Sequence, residues 1–276
     1  MKKSKKILIL GGSGFLGNAV YKELSGYFNI AATYCTPNSQ FEENGDFYHW
    51  DMQTESILHL LENLKPDIII SCLRGNFELQ LHAHFEIIHY LLKNRCKLLF
   101  LSGANVFDAF TNFPSYEYDK TFSVSIYGRF KIKIENALLR LPNHKYAILR
   151  LPMVFGAKSP RIKEIKQLYK VNEAIEVFPN VVTNATSVDK FTQQLHYIIN
   201  RNKTGVFHLG SADLIHHQEL IEEICQVLEL EKPLLKKVYS SNNDRFLAIL
   251  PKDNLLPPNL RVFITDVIQN CVTQKR

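Results

Sequence analysis

The sequence predicts an α/β protein built on a doubly wound parallel sheet, and three observations lead there. Short, continuously apolar runs alternate with longer amphipathic ones through about residue 156. The apolar runs lack the in-out alternation of a strand with one wet face, so helices must cover both faces of their sheet. A glycine-rich turn, residues 11–17, joins the first apolar run to the first amphipathic one.

The elements follow in order. KILIL (6–10) reads as a buried strand and FLGNAVYKELSGY (15–27) as the helix after it. NIAATY (29–34) and DFYHWD (46–51) are the second and third strands. SILHLLENL (56–64) places apolar residues three and four apart and reads as a helix. PDIIISC (66–72) is a strand entered through Pro66, and FELQLHAHFEIIHYLLKN (77–94) a long helix. CKLLFLS (96–102) is the fifth strand, IYGRFKIKIENALLRL (126–141) a helix, and YAILRLPMVF (146–155) one strand. Beyond it, AKSPRIKEIKQLYK (157–170), KFTQQLHYIIN (190–200) and HHQELIEEICQVLEL (216–230) read as helices, and GVFHLGS (205–211) as a strand. This order predicts a nucleotide-binding Rossmann domain over residues 1–156, joined by a further strand and helix from about 180–210. Residues 157–179 and 211–276 would form a small substrate-binding lobe.

The chain has 276 residues, 46% hydrophobic and 22% charged, enough to bury a sizeable core. Its net charge of +6 is modest, and Lys2, Lys3, Lys5 and Lys6 read as a solvated tail rather than a nucleic-acid surface. Mild basicity suits an acidic small-molecule substrate such as a nucleotide diphosphate. Cys35, Cys72, Cys96, Cys225 and Cys271 show no paired spacing, which points to a reducing, cytoplasmic setting. The apolar run ILIL is too short for a signal peptide, and no stretch reaches membrane-helix length, so a soluble protein is expected.

The glycine turn can be read in two registers. Gly12, Gly14 and Gly17 spell G-x-G-x-x-G, whose usual partner is an acid at the end of the second strand. That neighbourhood is Thr33, Tyr34, Cys35 and Thr36, with no acid. Gly11, Gly14 and Gly17 spell G-x-x-G-x-x-G, whose companion is a Tyr and a Lys four apart on a later helix. Tyr127 and Lys131 supply that pair on one helical face, after the fifth strand. The second register is therefore the one expected.

With these motifs, the chain resembles the extended short-chain dehydrogenase/reductase family, most of all its dTDP-4-dehydrorhamnose reductase-like sugar-nucleotide branch. GGSGFLG, PDIIISC, LLFLSGANVFD, YGRFKIKIENAL, AILRLPMVFG and SVDKF fall in that family's order. The resemblance implies an NAD or NADP cofactor over Gly11, Ser13, Gly14, Phe15, Leu16 and Gly17, with helix amides facing its pyrophosphate. It also implies cofactor contacts from Asp51, Met52, Cys72, Leu73, Tyr127, Lys131 and Pro152. Asp51 has an equally good bland reading as a helix cap. Leu73 and Arg74 stand where the family has small alanines, and would narrow the groove.

By resemblance Tyr127 is the acid that protonates a carbonyl receiving hydride. A free phenol has a pKa of about 10, and a neighbouring ammonium lowers it. Lys131 would be that tuner and a ligand of the nicotinamide ribose. One departure stands out: where the family carries a catalytic Ser or Thr, three before Val106, this chain has Gly103, followed by Ala104. Ser102 is adjacent but faces the opposite way on a strand. Ala104 and Asn105 also replace the Asp-Glu pair of the dehydratases.

The expected activity is reduction of a 4-keto sugar nucleotide. The alternatives are an NAD(P)-binding regulatory protein without turnover on the same fold, and a sugar-nucleotide epimerase. Without an acid or a base at residues 34 and 35, both cofactors should be tolerated, with a slight lean to NADP. Lys158, Arg161 and Lys163 are placed to neutralise a substrate diphosphate. His82 and His84 fall on different faces of one helix, and His216 and His217 read as solvent-facing, so no metal is assigned. Neither a nucleic-acid nor a membrane partner is expected, and a homodimer is left open.

Overall fold

The computed structural model describes residues 5–109, 111–239 and 241–272. β1 (Lys6–Leu10), β2 (Asn29–Tyr34), β3 (Phe47–His49), β4 (Ile68–Ser71), β5 (Lys97–Gly103), β6 (Tyr146–Leu151) and β11 (Gly205–His208) form a seven-stranded sheet. Its order is β11-β6-β5-β4-β1-β2-β3, and the pairings from β3 through β5 are parallel. The order reverses direction at β1, which is where the glycine turn leaves the sheet. Helices α1 (Phe15–Leu24), α3 (Ile57–Leu64), α4 (Phe77–Lys93) and α5 (Ile126–Leu138) lie where the apolar spacing predicts, and a single turn not expected from the sequence, α2 (Ser39–Glu42), follows β2.

The backbone divides into two units. The first holds the described residues up to Ser102, with Arg129–Leu149 and Leu195–Val206. Its core joins Leu8 and Leu10 of β1, Ile69 of β4 and Phe100 of β5 to Leu61, Ile87, Ile134 and Leu138 from the helices. All eight side chains are 0–1% exposed, so the apolar runs are buried as a covered parallel sheet requires. Local signals set the boundaries: Ser56 caps α3 by accepting from the Leu58 amide, and Asn76 caps α4 by accepting from Glu78 and Leu79.

The second unit holds Gly103–Gly128, Arg150–Gln194 and the described residues from Phe207 onward. It contains β7 (Met153–Phe155), α6 (Pro160–Lys170), β8 (Ile175–Val177), β9 (Val181–Thr183), β10 (Ala185–Ser187), and α7 (Val188–Asn200) as far as Gln194. β12 (Ile215–His216), α8 (His217–Val227), β13 (Leu235–Lys237), β14 (Arg245–Leu247) and α9 (Ile264–Asn270) complete it. Three small sheets, β10-β7, β12-β9-β14 and β13-β8, surround a core of Phe155, Ile162, Leu220, Ile224 and Val267.

Several expectations are corrected. YAILRLPMVF is two strands: Pro152, which has no N–H to offer a ladder, separates β6 from β7, and β7 pairs with β10 instead. Of the basic run, Lys2 and Lys3 lie outside the described residues. Lys6 opens β1, and the Lys5 ammonium donates to the Ile199 carbonyl at 3.1 Å, so neither belongs to a solvated tail. His217 is 5% exposed, because Phe178 packs edge-on against its ring and the Phe178 amide donates to its Nδ1 at 3.3 Å. Asp51 is not the cap of α3: Ser56 is, and Asp51 instead accepts from the Gln53 amide at 2.9 Å in the preceding turn.

Candidate active site

The glycine turn takes its shape from backbone crowding. Gly11 has φ +75°, and a Cβ there would lie 2.8 Å from the Cys72 carbonyl oxygen. The Gly14 amide donates to the Gly11 carbonyl at 3.1 Å, and a Cβ on Gly17 would fall 2.1 Å from that same oxygen. Gly11, Gly14 and Gly17 thus meet around one carbonyl, the three-residue spacing read from the sequence. Gly12 has a separate reason: its Cβ would be 2.6 Å from the Ala32 Cβ, so it lets the turn sit on β2. Thr33 closes the turn, its Oγ1 accepting from the Gly11 amide at 2.9 Å.

Gly14 is also the N-cap of α1, with no side chain capping the first-turn amides. Ser13 is exposed, Phe15 and Leu16 are half-buried, and Gly17 is buried. At the end of β4 lie Cys72, whose thiol burial pushes up to about 12, and Leu73, which packs on the core. Arg74 is exposed, Met52 packs against the core, and Pro152 is buried in the second unit.

α5 carries both Tyr127 and Lys131 at its N-terminal end. Lys131 is 6% exposed, and its ammonium donates to the Leu101 carbonyl at 2.9 Å and lies over the Phe100 and Phe130 rings. Burial pulls its pKa down to about 8, against the raising field of Glu135. Glu135, 1% exposed and one turn further along α5, is a residue that sequence reasoning passed over, although its i+4 spacing from Lys131 was there to read.

His84 lies on a different face of α4 from the exposed His82, and its buried partners are not visible in the sequence. It is 1% exposed, with Nδ1 at the Gln80 carbonyl and Nε2 2.8 Å from the Ser71 Oγ. A carbonyl can only accept, so Nδ1 carries the proton and Nε2 accepts from Ser71. Burial and the nearby Lys131 charge hold the ring neutral, with a pKa lowered to about 3.

The Lys131 shift has a consequence for stability. Below about pH 8 both folded and unfolded chains keep the proton, and the cost of burying the charge is complete. Between about 8 and the ordinary value of 10.5 the folded chain loses the proton first, so the unfolded chain binds more and stability rises with pH. Urea unfolding from about pH 7 to about pH 10 should show wild type gaining roughly 2–3 kcal/mol relative to Lys131→Met. An equal pH response in the two proteins would refute the shift.

In the second unit, Tyr127 is 37% exposed, and its ring stands beside Gly103. A Cβ at 103 would lie 3.5 Å from the Tyr127 Oη and 3.7 Å from the Leu151 carbonyl, ordinary van der Waals contacts. Position 103 therefore faces the phenol, as the strand alternation predicts. Ser102 has a buried Oγ that makes no hydrogen bond. Gly128, by contrast, has no room: its Cβ would fall 2.0 Å from the Ser123 Oγ and 2.3 Å from the Asn105 carbonyl. That explains the Gly after Tyr127, which sequence reasoning left without a role.

Lys158 and Lys163 are exposed, while Arg161 bonds Glu164 at 3.2 Å and keeps a buried Nε without a hydrogen-bond partner. Among the described residues no group of three or more potential metal ligands is present, and no helix is long and apolar enough to cross a membrane.

A seven-stranded sheet whose order reverses at a glycine turn, with helices after successive strands, defines a Rossmann-type α/β protein. Residues 76–250 match the RmlD substrate binding domain, and the chain belongs to that family. It is 29% identical over 162 residues to the methionine adenosyltransferase 2 subunit beta of Mus musculus, a match covering 55% of this chain and 48% of that one. It is also 29% identical over 124 residues to a dTDP-4-dehydrorhamnose reductase of Sinorhizobium fredii, covering 42% and 41% of the two chains. The chain thus spans about half, or less, of the length of these two relatives. Among solved structures, the dTDP-4-dehydrorhamnose reductase of Bacillus anthracis in complex with NADP superposes with a TM-score of 0.77. That match has 18% identity and covers 99% of this chain and 98% of the other.

Proposed function

We propose that this chain is an NAD(P)H-dependent reductase of a 4-keto sugar nucleotide. The observation that carries the reading is Lys131: a buried ammonium tied to the Leu101 carbonyl, one helical turn from a half-exposed Tyr127. A buried lysine with a depressed pKa, one helical turn from a phenol in the sequence of α5, is the pattern of a proton-transfer site more than of a structural pair.

The residues fit a dinucleotide. Gly14 starts α1 without a side chain, and its uncapped first-turn amides suit a pyrophosphate. The cofactor, when bound, supplies hydride to the substrate carbonyl carbon. Tyr127 donates its hydroxyl proton to the carbonyl oxygen, and Lys131 stabilises the phenolate left behind and would hold the nicotinamide ribose. Asp51, Met52, Cys72, Leu73 and Pro152 would line the remainder of the cofactor's path, and Ser13, Phe15 and Leu16 the turn itself. Lys158, Arg161 and Lys163 would neutralise the sugar nucleotide's diphosphate, with the unpartnered Arg161 Nε as one donor. The lobe and the Rossmann domain would divide the work as substrate and cofactor holders.

A second reading is favoured by Gly103: without a hydroxyl there, the chain would keep the cofactor and lose the turnover, as a non-catalytic binding protein. The resemblance to a methionine adenosyltransferase subunit supports that reading too. One experiment separates them. Purified protein should bind NADPH and NADH with affinities within about tenfold of each other, since no acid at residues 34 and 35 rejects a 2′-phosphate. NADPH should then be oxidised by at least one member of a panel of 4-keto sugar nucleotides. Binding without oxidation by any of them establishes the non-catalytic reading instead.

A further inference from the structure

The second unit contains a cavity of about 390 Å³ that the proposed reductase chemistry does not use. Neither Gly103 nor Tyr127 lines it. Its walls come from three places: Tyr116, the end of β11 with His208, and the stretch from Leu250 to Val262 packed against Gln194 of α7. The size falls within the range of small-molecule sites.

The walls are fastened from behind. The Glu117 carboxylate, 2% exposed, accepts the amides of Lys252 and Asp253 at 3.1 and 3.2 Å. Asn184 donates to the Ile249 carbonyl at 2.7 Å, and Gln194 Nε2 to the Leu260 carbonyl at 2.9 Å. Pro251, Pro257 and Pro258 fix φ along the same stretch. A wall held this way is formed before any ligand arrives.

The lining is chemically one-sided. Leu250, Leu255, Leu256, Leu260 and Val262 make it apolar, and Lys252 and Arg261 add two cations with no carboxylate among the lining residues. The Lys252 ammonium lies 4.9 Å from the Tyr116 ring centre, which holds it at the wall. His208 adds no charge. Its Nδ1 donates to the Leu250 carbonyl at 3.1 Å, its Nε2 accepts from Arg150 at 3.2 Å, and burial beside that guanidinium lowers its pKa to about 3.

Gln194 supplies the remaining clue. Its side chain is 4% exposed, and its Oε1 accepts no hydrogen bond. The amide cannot be flipped to cure this, because the other end faces the Leu260 carbonyl and must be the donor. A buried acceptor without a donor is costly, and a ligand N–H or O–H entering beside it would remove the cost.

We propose that this cavity is a second binding site, for an amphipathic organic anion. The apolar or aromatic body would lie against the leucines, the acidic group towards Lys252 and Arg261, and an N–H or O–H near Gln194 Oε1. The test titrates the whole protein with anilinonaphthalene sulfonate, a fluorescent anion of this class carrying one N–H, and with uncharged phenylnaphthylamine. Ala212→Trp, at an exposed lining position, fills the cavity; Lys252→Glu with Arg261→Glu reverses the charge at two exposed positions. Melting temperatures establish that the variants fold.

The sulfonate should lose at least about tenfold in affinity in both variants, and phenylnaphthylamine only in Ala212→Trp. No sulfonate binding to wild type, or unchanged affinity in Ala212→Trp, overturns the site. Loss in Ala212→Trp with none on charge reversal overturns the anion.

Discussion

Tyr127→Phe should lower NADPH-dependent reduction of the accepted 4-keto sugar nucleotide roughly a thousandfold, within the range for a general acid. Cofactor affinity should stay nearly the same, because the ring remains and α5 is undisturbed. The companion variant moves the other way. Position 103 faces the Tyr127 Oη with an ordinary 3.5 Å contact for a Cβ, so the first atom of a serine side chain meets no clash. Its hydroxyl would give the developing alkoxide a second donor, and Gly103→Ser should raise turnover about tenfold to a hundredfold. Single-turnover measurements with saturating NADPH read the chemical step in both. If wild type turns over and Tyr127→Phe retains its rate, the assignment of the acid fails. If Gly103→Ser gains nothing, another group already serves the oxygen.

Gly17→Ala should be the most damaging single methyl in the first unit. The added Cβ would lie 2.1 Å from the Gly11 carbonyl oxygen, 2.8 Å from its carbon and 2.9 Å from the Gly12 Cα, all backbone atoms. That backbone cannot yield cheaply: Gly12 already sits on Ala32, and β1 is in the middle of the sheet. The expected cost is about 3 kcal/mol or more, a drop in melting temperature of roughly 10 °C. Nicotinamide dinucleotide binding should be lost as well, since the turn must open to relieve the clash. Gly26→Ala is the control, because nothing lies within 4 Å of its Cβ, and it should leave both properties alone. Thermal melts and calorimetric titration of the two variants side by side check this. Equal melting temperatures would mean that the turn is not close-packed.

Much of this was legible in the residues. The buried strands announced themselves because a strand covered on both faces needs unbroken apolar runs, and IIIS and KILIL have no other use. The longer helices before residue 156 were legible from their spacing, whereas the single turn Ser39–Glu42 was not; its Asn38 cap is the local signal that could have found it. The three-residue spacing of Gly11, Gly14 and Gly17 was legible too, and in the fold these three meet around the Gly11 carbonyl.

What the residues did not reveal came from contacts distant in the chain. Strands of two or three residues, such as β8, β9 and β12, are too short to show a period, and exist because neighbours complete their hydrogen bonds. His217 looked like a solvated pair with His216 until Phe178 covered it. The sequence alone determined that Tyr127 and Lys131 stand four apart on one helix, because that spacing is a local property. Only the tertiary structure decided the setting of that pair. It buried Lys131 against Phe100 and Leu101 and turned the bare face of Gly103 towards a phenol twenty-four residues away, because burial and electrostatics depend on everything packed around a group.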